Sequence, residues 1–366
     1  MMAQLYFWGA NSHQQSGSGK SDEQFNTPIP IEFNFSENIV QISGGGGHTL
    51  TLSKDGKVYS AGWNTKGQLG INSINETSEF NQVNTEEPHR FRKVVCGWDI
   101  SALISKENDI FMFGNNQYEQ FGLKLPTNSD IPVKINLSEV FDNEKVLDIS
   151  FGLRHTSVLL ASGKLLLFGQ SRCTRIAQLF ESNFCKTHQF QYQAVEFLSF
   201  EFCTPVSMIT SGQHFTLAYI LQGHRMFLLG ENKHVNLCNQ EIDISHISPL
   251  KEVCSGWTHF VLLDQVGNIF TFGRNNYNQL GRKSDNNENK PVALVINEKI
   301  SDIKCGSEHT MLLTDDGKVL TWGWNEHGNC GVNGVENVEQ PTNVQFPKPC
   351  LIIGTGYGFS FALIQR

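Results

Sequence analysis

The chain has 366 residues, with 28 lysines and arginines against 36 aspartates and glutamates, a formal charge of −8. That balance, without a basic run at either end, leaves no electrostatic footprint for a phosphate backbone and argues against direct nucleic-acid binding. With 33 glycines, 26 phenylalanines and 17 % charged residues, the composition is that of a turn-rich, aromatic-packed β protein. No apolar run approaches the ~20 residues of a membrane-spanning helix. Nine cysteines show no regular pairing, and the first segment, MMAQLYFWGANSH, has neither a charged nor an apolar signal region. The expectation is a soluble protein of a reducing compartment.

Taken in chain order, one element recurs seven times: an aromatic or aliphatic residue, glycine, any residue, then usually asparagine. The copies are FWGAN at Gly9, SAGWN at Gly62, MFGNN at Gly114, LFGQS at Gly169, LLGEN at Gly230, TFGRN at Gly273 and TWGWN at Gly323. A second element, Gly-x-x-His followed by alternating apolar residues, places His48, His155, His214, His259 and His309, with Ile100 and Phe359 standing in for histidine. His48 to Gly62, Ile100 to Gly114, His155 to Gly169, His259 to Gly273 and His309 to Gly323 are all 14 residues apart, whereas His214 to Gly230 is 16. Between the two elements lie turn pairs such as Asp55-Gly56, Ser162-Gly163 and Asp316-Gly317, which predict a β-hairpin. Apolar segments such as FRKVVCG, KVLDISFG and ISDIKCGS predict a further strand leading into each repeat.

Small sheets with two apolar faces must pack against one another, and the closed radial solution is a propeller. The predicted fold is all-β, a seven-bladed β-propeller forming a single domain over 1–366. Leu5–Gly9 supplies a strand with no partner before it, and Phe359 opens one with no hairpin after it. The N- and C-terminal strands are therefore expected to share one blade and close the ring.

GWNTKGQLG (62–70), GRNNYNQLG (273–281) and the variant GNNQYEQFG (114–122), with the Gly-x-x-His hairpin, resemble the regulator-of-chromosome-condensation repeat family across essentially the whole chain. The copies at Gly169 and Gly230 depart from the pattern, so the fourth and fifth blades are degenerate, and a Phe-rich linker at about 170–203 follows the fourth. Within the family, CGWD (96–99), GLRH (152–155), SGWTH (255–259), CGSEH (305–309) and WGWNEHGNCG (322–331) resemble two groups. One is the secretion-regulating guanine nucleotide exchange factors. The other is the fungal killer-toxin-insensitivity proteins, also called alpha-tubulin suppressors. The fungal resemblance implies a non-enzymatic adaptor, cytoplasmic and nuclear, that pairs as a heterodimer with a small CSL-type zinc-finger electron carrier. Through that partner it would serve diphthamide synthesis on elongation factor 2 and Elongator-dependent modification of tRNA wobble uridine. The rival reading is a guanine nucleotide exchange factor for a small GTPase.

Residues repeated in every blade are read as scaffold, the histidines as bonding backbone within their own blades. What remains after subtracting the repeat is Trp98, Asp99, Arg154, Trp257, Glu308, Trp324, Glu326 and His327, all in loops at equivalent blade ends. They are expected to form one acidic and aromatic docking face for a partner with a basic or polar patch. Charge reversal at Asp99, Glu308 and Glu326 is expected to weaken docking while sparing the fold. No G-x-S-x-G elbow, Walker loop, HExxH or paired C-x-x-C occurs, and CKTH (185–188) lacks the other half of a metal site. No catalytic residue, cofactor or metal ligand is expected.

Overall fold

The computed structural model describes residues 3–365 apart from 33–38, 86, 125–126, 137–139, 141–143, 193 and 284–285. Its strands form seven antiparallel sheets arranged as the blades of a propeller. Blades are numbered here by their copy of the glycine element. Blade 2 is typical: Ile39–Gly44 innermost, then His48–Ser53, Val58–Gly62 and Thr77–Gln82 outermost. The innermost strands of all seven blades neighbour one another in a closed circle. Blade 1 joins the chain ends: Cys350–Thr355 and Phe359–Gln365 pair onward to Ala3–Ala10 and Gln24–Ile31.

Alternation of side chains along each strand gives every blade two apolar faces. The buried residues accordingly fall into seven clusters, each shared by two adjacent blades. Burial at the seams, rather than within any one sheet, holds the ring together. Trp8 closes the last seam, its indole Nε1 donating to the Asn329 carbonyl of blade 7 at 2.9 Å, as Trp322 donates from blade 7 to Gln279 of blade 6 at 2.7 Å.

The hairpin offset follows from strand register. His48 lies opposite Gly62, and His259 opposite Gly273, across the second and third strands. The seven glycines have φ between +94° and +112°, and a Cβ on Gly273 would lie 2.5 Å from the Thr258 carbonyl oxygen. Only glycine tolerates that backbone beside a bulge. In the loop that follows, Asn64 accepts from the Leu69 amide at 2.9 Å and donates to the carbonyls of Ser73 and Asn75, so the asparagine folds the loop.

Two local expectations change. The histidines do not bond backbone in their own blades: Nε2 of His48, His155, His259 and His309 meets a hydroxyl of the next blade, on Ser101, Thr216, Thr310 and Ser360, at 2.9–3.1 Å. His214 is not one of the set. In blade 5 it is Phe215 that pairs with Gly230, and its ring fills the place the histidines occupy elsewhere, with His214 one step out in the loop.

The described residues of the Phe-rich linker form regular structure. A short helix α1 (Arg172–Ala177), capped by Ser171, leads to a hairpin of Cys185–Tyr192 and Val195–Phe202. Val195–Phe202 takes the usual fourth place in blade 4, and Cys185–Tyr192 adds a fifth strand outside it.

Candidate docking face

Each blade sends two loops to the same end of the ring, one between its first and second strands and one between its third and fourth. The inner loops are laced together. The amide of Gly46 donates to Trp98, Leu153 to Gln213, Gln213 to Trp257, Trp257 to Ser307, Ser307 to Tyr357 and Tyr357 to Gly45, at 2.8–3.3 Å. Among the described residues, only the seam from blade 3 to blade 4 has no such bond.

Trp98, Trp257 and Tyr357 hold equivalent places in this girdle, and their ring centroids are 5.4–5.5 Å apart. They meet over the axis of the ring, where the innermost strands enclose a cavity of about 410 Å³. Tyr357 was not among the sequence candidates. The signal for it was its place directly after Gly356, matching Trp98 after Gly97 and Trp257 after Gly256.

A second concavity, about 380 Å³, lies on the same face and is lined by Trp257, Arg274, Tyr277, Glu308, Trp324 and Glu326 among others. Four of the predicted residues thus converge on one cleft. Trp324 is half-buried, with its amide bonded to the Glu308 carbonyl at 2.9 Å and its indole Nε1 to Glu326 Oε2 at 3.3 Å. His327 packs edge-on against it at 5.2 Å. Arg274 and Tyr277, which the sequence reading passed over, stack at 4.8 Å. Arg154 and Asp99 lie outside this cleft: the Arg154 guanidinium sits 4.3 Å above the Tyr118 ring, and Asp99 accepts from Asn115 at 2.7 Å.

Glu308 is not a surface charge. It is 7 % exposed, and its Oε2 accepts from Thr258 Oγ1 and Gln279 Nε2, both at 2.7 Å. Burial raises its pKa, opposed by those two bonds and by Arg274, whose Nη1 is 4.0 Å from Oε1. Burial likewise raises the pKa of Asp99. Reversing either charge therefore attacks the fold as well as the face, and only Glu326 is an exposed carboxylate in the predicted set. The face is also not uniformly acidic, since Arg154, Lys233 and His234 are exposed on it. Among the described residues, no group of three His, Cys, Asp or Glu side chains is placed to hold a metal ion.

Comparison with known proteins agrees with this architecture. The RCC1-like domain model matches residues 4–362. The secretion-regulating guanine nucleotide exchange factor of Mus musculus is 30 % identical, covering 99 % of this chain and 84 % of that protein. The Bos taurus protein of the same name is 29 % identical over 78 % of this chain, and the match spans 63 % of its length. The crystal structure of Prp20p from Saccharomyces cerevisiae superposes with a TM-score of 0.85 at 19 % identity, covering all of this chain and 92 % of that one, which establishes a shared fold.

These relatives correct two expectations. The zinc-finger adaptor role in diphthamide synthesis and Elongator-dependent modification is overturned, because the relatives matched along most of this chain are named exchange factors. The motifs that suggested the fungal group are mostly scaffold in the structure: Gly97, Gly152, Gly256 and Gly306 pack beneath the side chains three residues on, in blade after blade. The expectation of a non-enzyme is overturned with it, since both relatives are named guanine nucleotide exchange factors. The chain belongs to the RCC1-like domain family.

Proposed function

We propose that the chain is a guanine nucleotide exchange factor for a small GTPase and that the loop face carries the docking site. The observation that supports this most is 30 % identity along 99 % of the chain to a protein of that name. The face suits a protein partner. It concentrates Trp, Tyr and Arg, the residue types that dominate interface energetics, around a cleft on a rigid ring. Exchange follows from linkage: a surface that binds the nucleotide-free GTPase more tightly than the loaded form weakens nucleotide by the same factor. Glu308, buried and fixed from blade 6, sets a carboxylate 4.0 Å from Arg274, which Asn276 and Tyr277 hold at the cleft. The test is release of a fluorescent GDP from purified small GTPases with and without the chain. Acceleration of at least one supports the reading, and unaltered release from the whole panel refutes it.

A further inference from the structure

One sector of the loop face is cationic although the chain as a whole carries −8. Arg154, His214 and Thr258 occupy the same loop position in blades 4, 5 and 6, and those loops are tied side by side by the Leu153–Gln213 and Gln213–Trp257 amide bonds. The His214 carbonyl accepts from the Glu231 amide at 3.0 Å, which brings the loop carrying Lys233 and His234 alongside. The Arg274 amide donates to the Thr258 carbonyl at 3.0 Å, and α1 brings Arg172 against Glu231. The result is an arc of Arg154, Arg172, His214, Lys233, His234 and Arg274.

Glu231 and Glu308 lie within the arc, both engaged, and the exposed Glu326 lines the cleft at its end beside His234 and Arg274. The Glu231 side chain is 14 % exposed beside Arg172, and Glu308 is held by Thr258 and Gln279. Among the described residues, neither Arg154 nor Lys233 forms an ion pair, and both are exposed; the half-buried Asp99 of blade 3 is near enough to feel the Arg154 charge. Burial, and then Arg172, Arg154 and Lys233 around it, hold His214 below its ordinary pKa. One end of the arc opens into the cleft walled by Trp257, Tyr277 and Trp324.

We propose that this arc binds an acidic peptide segment of the protein partner. Arg154 and Lys233 pair with its carboxylates, and the aromatic cleft takes an adjacent apolar side chain. The proposal rests on the loop face being the docking face. A broad anionic surface such as a nucleic acid fits less well, because it would also meet the net negative charge of the rest of the molecule. The aromatic cleft beside the arc matches an apolar anchor within a short peptide.

The experiment measures fluorescence anisotropy of a labelled peptide of four glutamates around one leucine, with its lysine counterpart and inorganic pyrophosphate as comparison probes. The full chain is expected to bind the glutamate peptide, to ignore the lysine peptide, and to lose affinity as salt rises. The double variant R154E/K233E, both sites being exposed, is expected to weaken binding roughly tenfold or more at an unchanged melting temperature. K299E, on the opposite end of the ring, is expected to change nothing. Equal binding of both peptides, full binding by the double variant, or pyrophosphate binding without peptide binding would each overturn the proposal. Peptide binding without GDP release from any GTPase leaves the arc standing and removes the exchange reading. GDP release that survives R154E/K233E does the reverse.

Discussion

Nε2 of His309 lies 3.0 Å from Oγ of Ser360 across the seam that closes the ring. Ser360 gives its own proton to the Asn329 carbonyl at 2.9 Å, so its oxygen accepts from His309 and the imidazole is protonated on Nε2. Nδ1 is left bare, buried and without a partner. His48, Ser101 and Gln68 repeat the arrangement between blades 2 and 3. A second proton on such a ring would be a buried, uncompensated charge.

Acid sensitivity follows. Burial lowers the pKa of His48, His155, His259 and His309 to about 3, against 6.5 for an ordinary histidine. The unfolded chain therefore takes up protons first, so stability is complete above pH 6.5 and is lost as pH falls from 6.5 towards 3. At pH 5.5 each histidine costs about 1.4 kcal/mol, and the four together about 5–6 kcal/mol. Urea midpoints between pH 7.5 and 5.5 measure this. His48→Phe, the residue type blade 5 uses at Phe215, is expected to flatten the slope by about one proton.

Two glycines with similar φ separate strain from clash. Gly267 has φ +103° with only Lys299 Cγ near its Cβ direction, at 3.9 Å, whereas Gly273 has φ +112° with a carbonyl oxygen at 2.5 Å. Gly267→Ala is expected to cost about 1–2 kcal/mol from backbone strain alone. Gly273→Ala is expected to cost upwards of about 4 kcal/mol, because the loop carrying Thr258 must move. Chemical denaturation of both variants checks the difference.

Asn329 marks a repairable defect. In blades 1, 2, 3 and 6 the equivalent Gln15, Gln68, Gln120 and Gln279 accept from the amide two residues back at 2.8–3.0 Å. Asn329 is one methylene shorter, and both of its side-chain polar atoms are buried without a partner. Asn329→Gln is expected to stabilise the fold by about 1 kcal/mol by restoring that bond. An unchanged or lower denaturation midpoint contradicts this.

The two cleft carboxylates should part company on charge reversal. Glu308→Lys breaks two buried hydrogen bonds and sets a cation beside Arg274, with an expected loss of about 3–5 kcal/mol. Glu326→Lys, exposed, is expected to stay within about 0.5 kcal/mol of the parent. Thermal melts of the two variants decide it.

The ring was legible because its period is enforced twice, by hairpin register and by glycines that no other residue can replace. Where the hairpin turn lengthens, at Leu221–His224, the offset reached 16, and the histidine at 214 drew attention from Phe215. The constant spacing from Gly212, three residues before Phe215, held the right answer. Burial of Glu308 was not legible: a carboxylate in a loop reads as exposed, and what covers it is Thr258 and Gln279, from another blade. The cationic arc was hidden for the same reason, since its members come from four loops and the helix α1, which only closure of the ring brings together.

The exchange reading is tested most directly by the rate of fluorescent GDP release from a panel of small GTPases, with the parent chain and with a Trp324→Ala, Glu326→Lys variant of equal melting temperature. Acceleration by the parent is expected for at least one GTPase, with a loss of tenfold or more in the variant, about 1.4 kcal/mol. Release that is unaltered across the panel, or accelerated equally by parent and variant, would contradict it.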